Sequence, residues 1–342
     1  MRTYRPFIAV LTLAAALTAG AAAQDLTLPN KAKDTLKFAV IGDSGTGDSN
    51  QYRLAKVFTD IFPRFPYEFV LMLGDNMYGG ESARDFQRKF EIPYKPVLDK
   101  GIKFYAALGN HDSTNQRMYK LFKMNGERFY TFRPQMGVRF FALDSNYMDR
   151  PQLQWLEKEL SASGSDWKFV YFHHPIYSSG GRHGSDTALR DQLEPLFLKY
   201  GVDVVFAGHE HFYERLKPQK GIHYFISGGA GKLRRGDVGG DFTEKSFDQG
   251  YHFMLFEIDG NQLHFQAISD QQKTVDSGVI ARRQVDDKAA PSVPAAPAVK
   301  PVPPQDKPSG NKPSTSTDKP AAPAPATTKP AAPSTSKPAP KP

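Results

Sequence analysis

The 342-residue chain has no cysteine. That excludes disulfides, thiolate metal ligands and an acylated cysteine as a lipid anchor. Stability must therefore come from a packed core, and any metal must be held by oxygen and imidazole donors. Long apolar runs are also scarce; the main one, Phe7–Leu17, is too short to span a bilayer. The formal net charge of +8 is absent from the middle of the chain. Eight Lys and two Asp after Asp287, together with Arg2 and Arg5, account for all of it and leave residues 24–287 neutral. A nucleic-acid-binding class argued from bulk charge is thereby excluded. Large apolar residues are almost missing from Lys288–Pro342, so that stretch cannot bury a core.

These absences divide the chain into three. Residues 1–23, with Arg2 and Arg5, the apolar Phe7–Leu17 and the small Ala21-x-Ala23 ending, read as a secretory signal that leaves a mature chain starting near Gln24. The expected location is secreted or periplasmic. Residues 288–342 read as a disordered Pro/Ala/Lys/Ser/Thr tail of extended, polyproline-like character. Its lysines suit an anionic envelope polymer or membrane surface, although a solvated linker is the simpler reading. Residues 24–287 are long enough for one domain with its own core.

Within that domain, five apolar runs end in loops bearing polar residues of one kind. Leu36–Ile41 exits at Gly42-Asp43, and Phe69–Leu73 at Gly74-Asp75-Asn76-Met77-Tyr78. Lys103–Leu108 exits at Gly109-Asn110-His111, Trp167–Phe172 at His173-His174-Pro175, and Val202–Ala207 at Gly208-His209-Glu210-His211. Runs of this length and composition are predicted to be buried strands of an α/β sheet, and chemistry gathers beyond the carboxyl ends of such strands. Helical spacing over Gln51–Phe62, Ala83–Phe90, Gln152–Leu160 and Asp186–Tyr200 separates them. Further strands are predicted near Phe129–Phe132, Val138–Leu143, Tyr224–Ile226, Phe253–Ile258 and Leu263–Ile268, the last two joined as a hairpin.

Any one strand-end Asp or His is ordinarily a cap or a backbone partner; five such loops on one sheet edge point to a metal or a catalytic centre. Two ions held about 3.5–4 Å apart need a bridging anion, for which a carboxylate is suited. Neutral imidazole suits Fe, Zn and Mn. A phenol, with a pKa near 10, ionises at neutral pH only beside a strongly acidic ion, so Tyr78 points to Fe(III). Gly42–Gly47 does not have the order of a dinucleotide loop, and Gly228–Arg235 lacks the Ser/Thr that follows Lys in a phosphate loop. The latter reads as a plain loop or a mobile rim near substrate. His223, His252 and His264 have no partner motif and read as core or surface histidines.

The ordered series of Gly-Asp, Gly-Asp-Asn-x-Tyr, Gly-Asn-His, His-x-Pro and Gly-His-x-His resembles the calcineurin-like metallophosphoesterases. With Tyr78 it resembles the small, tartrate-resistant type of purple acid phosphatase. The resemblance spans about Leu36–Ile268. It implies a sandwich of two mixed β-sheets flanked by helices, with the metal site at strand carboxyl ends. It also implies a binuclear acid phosphatase that hydrolyses small phosphate monoesters by in-line attack of a metal-activated water. Carried over, it makes Asp75 the bridging ligand. Asp43, Tyr78 and His211 complete an Fe(III) site, and Asn110, His173 and His209 hold a divalent Fe, Zn or Mn. His111 and His183 become the outer catalytic histidines, and His174 a packing or supporting residue. Departures are the missing cysteines, the short Asp144–Pro151 turn in place of a repressive loop, and the absence of room for an extra N-terminal β domain. A phosphodiesterase or nucleotidase with the same metals, and a tail-mediated binding protein with a vestigial site, are the alternatives.

Overall fold

The computed structural model describes residues 25–283 apart from Asp237. The predicted signal segment and the tail lie outside the described residues. One six-stranded sheet has the order β13 (Thr274–Ala281), β12 (Gln262–Ser269), β11 (His252–Asp259), β1 (Leu36–Ile41), β2 (Phe69–Met72) and β3 (Lys103–Ala106). A seven-stranded sheet has the order β10 (Thr243–Phe247), β8 (Tyr213–Leu216), β9 (His223–Ser227), β7 (Val204–Ala207), β6 (Trp167–Phe172), β5 (Val138–Ala142) and β4 (Tyr130–Gln135). Strands β1, β2 and β3 are parallel, as are β5, β6, β7 and β9. Both sheets are completed by antiparallel strands. Two mixed sheets with helices on their outer faces are thus found, as the motif series implied.

The uninterrupted apolar runs follow from burial on both faces. In β1, Phe38 and Val40 face the layer between the sheets, whereas Ala39 and Ile41 face outward. In β6, Phe169 and Tyr171 point inward, and Val170 and Phe172 outward. The inner layer is largely aromatic. Phe38 stacks on Phe69 and Phe256 with centroids 5.4 and 5.0 Å away, and meets Phe140, Phe169 and Phe206 edge-on. Outside the first sheet lies α1 (Ser49–Asp60), capped by Asp48, whose side chain accepts from the Asn50 and Gln51 amides. Outside the second lie α4 (Arg150–Ser161) and α5 (Thr187–Tyr200), capped by Asp149 and Asp186.

The helix expected over Ala83–Phe90 is interrupted. The α-helix α2 (Ala83–Phe86) runs into a π-helical turn at Gln87–Glu91, and a further short helix, α3 (Lys95–Leu98), follows. Lys89, within the π-turn, is buried. Its ammonium donates to the Tyr78 and Gly80 carbonyls at 2.8 and 2.5 Å and pairs with Asp85 at 3.2 Å. The extra residue per turn thereby points a lysine at the loop that carries Tyr78.

Three strands were not legible as runs: β8, β10 and β13. The charged pair Glu214-Arg215 breaks the apolar pattern of β8. In the structure Arg215 Nε and Tyr213 Oη both donate to Asp276 of β13, at 2.7 and 2.8 Å. Among the described residues no helix is long and apolar enough to cross a membrane.

Candidate metal centre

The carboxyl ends of β1, β2 and β3 and those of β6 and β7 open on the same edge of the sandwich, and their exit loops converge. Asp43, Asp75 and His173 are fully buried, with ligand-capable atoms within 4.8 Å of one another. The Tyr78 hydroxyl donates to Asp43 Oδ1 at 3.1 Å and lies 3.3 Å from His211 Nε2. On the other side, His173 Nε2 lies 3.0 Å from Asn110 Oδ1, 3.1 Å from His209 Nδ1 and 3.4 Å from Asp75 Oδ1. Seven donor side chains therefore fall into two groups, with Asp75 next to both.

The close approach of the loops explains the glycine before each polar residue. A Cβ on Gly109 would lie 2.2 Å from both the Asp75 amide nitrogen and Asp75 Oδ1, so only glycine lets β3's loop pass the carboxylate. Asp43, Asp75 and His209 all have left-handed backbones, with φ of 56°, 49° and 69°. Each such conformation costs about 1–3 kcal/mol and persists only where surrounding contacts over-determine it. Those contacts are present. The His209 amide donates to Asp43 Oδ2 and the His111 amide to Asp75 Oδ1, both at 2.9 Å, and the Asp43 amide donates to the Gly74 carbonyl at 3.0 Å.

The donor set fits a cation. His173 Nδ1 lies 2.9 Å from the Leu73 carbonyl and spends its proton there, so Nε2 presents a lone pair. That lone pair faces the Asn110 oxygen, an Asp75 oxygen and a His209 nitrogen, a set of acceptors that a positive ion would satisfy. The electrostatics agree. Burial, and then the Asp75 charge, push the Asp43 carboxyl well above its usual range. Burial pushes His173 well below the ordinary histidine range, His209 down to about 2 and His211 down to about 4. Neutral imidazoles are the ligand form, and a bound cation would return the Asp43 carboxyl to its ionised state. Burial and the two aspartates push the Tyr78 phenol far up, so without a strongly charged ion it remains a hydrogen-bond donor.

The remaining residues singled out from sequence lie at the rim. His111 is exposed, with its ring centroid 4.9 Å from that of Tyr78. His183 is exposed too, 4.3 Å from the His209 ring and 3.3 Å from Arg234 Nη2. Partial desolvation lowers its pKa, with Arg234 and Arg182 acting in the same direction and Glu210 opposing. His174 has Nδ1 2.9 Å from Ser145 Oγ, a supporting contact, although its ring also stands close enough to His173 and His209 to share an ion with them. The Gly228–Arg235 loop is fixed rather than a free rim: the Ala230 amide donates to Gly42 at 3.1 Å and the Arg234 amide to His211 at 2.9 Å. His252 is buried.

Two carboxylates escaped the sequence reading. Asp112 accepts the Gly109, Asn76 and Met77 amides at 2.8, 3.0 and 2.9 Å, tying the loop after β3 to the loop after β2. Glu210, fully buried, accepts from Arg234 Nη1 at 2.7 Å and from the Gly184 amide at 3.0 Å, which holds the His183 loop. Their only signal was adjacency, to His111 and between His209 and His211.

A Gly-Asp, Gly-Asp and Gly-Asn-His series held at strand ends over a two-sheet sandwich defines a metallophosphoesterase centre. Residues 36–213 match the family described as Calcineurin-like phosphoesterase, and the chain belongs to it. The chain is 29% identical over 290 residues to purple acid phosphatase 7 of Arabidopsis thaliana, covering 70% of this chain and 88% of that protein. It is 27% identical over 244 residues to tartrate-resistant acid phosphatase type 5 of Homo sapiens, covering 59% and 75%. These are the two kinds of relative that the motif series resembles. Among solved structures, GAP50, the anchor in the inner membrane complex of Plasmodium, superposes with a TM-score of 0.63 at 22% identity, over 74% of this chain and 90% of that one. The purple acid phosphatase PPD1 from yellow lupin superposes with a TM-score of 0.61 at 18% identity, over 77% and 56%. At these identities the two structures speak for the fold alone.

Proposed function

We propose that the chain is an exported binuclear-metal acid phosphatase acting on small phosphate monoesters. The observation that carries this reading is the convergence of seven neutral or anionic donors from five strand ends, with Asp75 between the two groups. Asp43, Tyr78 and His211 are assigned to Fe(III), Asp75 to both ions, and Asn110, His173 and His209 to a divalent Fe, Zn or Mn. When bound, the ions would lower the pKa of water and offset the charge of the phosphoryl oxygens.

The protein's own contribution is positional. The His111 and His209 amides hold the Asp75 and Asp43 carboxylates in place, and Leu73 fixes the His173 tautomer. His111, exposed beside Tyr78, stands where it can meet the phosphoryl group or donate to the leaving oxygen. His183, whose pKa is lowered, would hold a proton to donate only in acid. Export rests on the composition of residues 1–23, and N-terminal sequencing of the secreted protein, expected to start near Gln24, tests it.

The test of activity combines metal analysis, a visible spectrum and a panel of mono- and diesters on protein produced with iron. Two metals per chain, a charge-transfer band lost in Tyr78→Phe and preferential monoester turnover are expected. Diester preference would move the chain to the phosphodiesterases, and an active, fully loaded protein with neither iron nor a visible band would remove the Fe(III)–Tyr78 assignment.

A further inference from the structure

We propose that the groove leading outward from Asn110 and His174 is a leaving-group subsite, selecting monoesters of planar, uncharged groups (nucleosides or aryl alcohols) by stacking them on Tyr147. The proposal rests on the reading of the metal centre given above. The inner part of the groove has a volume of about 410 Å³, and Asn110, Asn146, Tyr147, His174 and Asp186 are among its lining residues. Since Asn110 is an assigned ligand, this cavity opens on the centre. A second cavity of about 490 Å³ shares Thr114 and Tyr147 with it and extends to Arg128, Met148 and Asp149. Either volume falls within the range of small-molecule sites, roughly 300–1,000 Å³.

Tyr147 is placed as a platform. Of the large apolar side chains most exposed among the described residues, it is the one lining these cavities, at 63% exposure. Its backbone is nonetheless held in place. The Tyr147 carbonyl accepts from the Asp149 amide at 2.9 Å, from Gln152 Nε2 at 3.0 Å and from Arg128 Nη1 at 3.4 Å. Arg128 is itself fixed by ion pairs to Asp144 and Asp149 at 2.8 and 2.9 Å, and its guanidinium lies 5.9 Å from the Tyr147 ring centroid. A ring on a fixed backbone offers a wide π-face at low entropic cost.

The charge of the groove narrows the ligand. Asp149 and Asp186 line it, and Arg128, the one Lys or Arg among its lining residues, is already paired with Asp149. A leaving group bearing a second phosphate would be repelled, whereas a neutral ring would not. Asn146 donates through Nδ2 to the Leu108 and Gly109 carbonyls at 3.3 and 3.2 Å. Its side-chain oxygen accepts from none of the described residues and can take an N–H or O–H of the leaving group.

The experiment compares kcat and KM for a nucleoside 5′-monophosphate, glycerol 2-phosphate and a sugar bisphosphate in the wild type, Tyr147→Ala and Tyr147→Phe. The nucleotide should be the best substrate and the bisphosphate the poorest. In Tyr147→Ala the ratio of kcat/KM for nucleotide over glycerol phosphate should fall roughly tenfold, through KM, and Tyr147→Phe should restore it. An unchanged ratio in Tyr147→Ala, or a wild-type preference for the bisphosphate, overturns the proposal. If no ester is hydrolysed, the reading of the centre has failed instead. Calorimetric binding of the nucleoside monophosphate to the wild type and Tyr147→Ala then decides the groove by itself: roughly tenfold weaker binding to the variant supports it, and equal Kd overturns it.

Discussion

Asp112→Ala separates the idea of pre-formed loops from one in which metals alone gather them. The Asp112 carboxylate accepts five hydrogen bonds: from the backbone amides of Asn76, Met77 and Gly109 and from the side chains of Asn76 and Gln116. Removing it orphans three backbone donors. A buried donor left unmet costs about 1–3 kcal/mol, and water entering this half-buried position offsets part of that, so a loss of about 3–5 kcal/mol is expected. At about 2–4 °C per kcal/mol for a domain of this size, Tm should fall by about 10 °C. Burial and the nearby Asp75 charge push the Asp112 carboxyl up to about 8, so chelator-treated protein is best melted at pH 9, where its acceptors are fully available. Because Asp75 and Asn110 sit on the two loops it joins, metal affinity measured by chelator competition should also fall, by about 10–100-fold. Asp112→Asn, which keeps one acceptor oxygen, should lie between the two. An alanine variant that melts within about 2 °C of wild type and holds metal equally well would falsify this account.

Three further outcomes follow from individual side chains. His111→Ala should keep both metals and lose turnover by roughly 10²–10⁴-fold; loss of metal stoichiometry would instead make His111 a ligand. Burial pushes His252 down to about 3. Below pH 6.5 the unfolded chain therefore takes up a proton that the folded imidazole refuses until about pH 3, and stability falls with falling pH across that window, by about 4–5 kcal/mol in full. His252→Leu should flatten this part of the acid limb in chemical denaturation, and an unaltered limb would show that His252 is protonated in the fold. Phe38→Ala, at the centre of the aromatic layer, should cost about 3–5 kcal/mol by urea denaturation without altering metal content in protein that remains folded; loss of less than 1 kcal/mol would mean that the layer collapses around the gap.

The sequence by itself determined the frame and the donors. Leu36–Ile41 and Trp167–Phe172 are apolar throughout because the sandwich buries both their faces, and that information is local to each run. The Gly before Asp43, Asp75, Asn110 and His209 was equally legible, since a backbone that must pass within van der Waals reach of another tolerates no Cβ. Tertiary structure alone decided what depends on partners distant in the chain. Strand β8 is made possible by Asp276, 61 residues beyond Arg215, which neutralises a charge that otherwise breaks the pattern. Lys89 turns inward through a π-turn that no residue type announces. Asp112 and Glu210 had no role legible along the chain, because the backbone amides and Arg234 that they bind are brought to them by the fold. The division of seven donors into two groups, with Tyr78 beside Asp43 and His173 beside Asn110, is likewise a product of which strand ends lie next to one another across two sheets. Periodicity and spacing report only a residue's immediate neighbours along the chain; polar groups are matched in three dimensions.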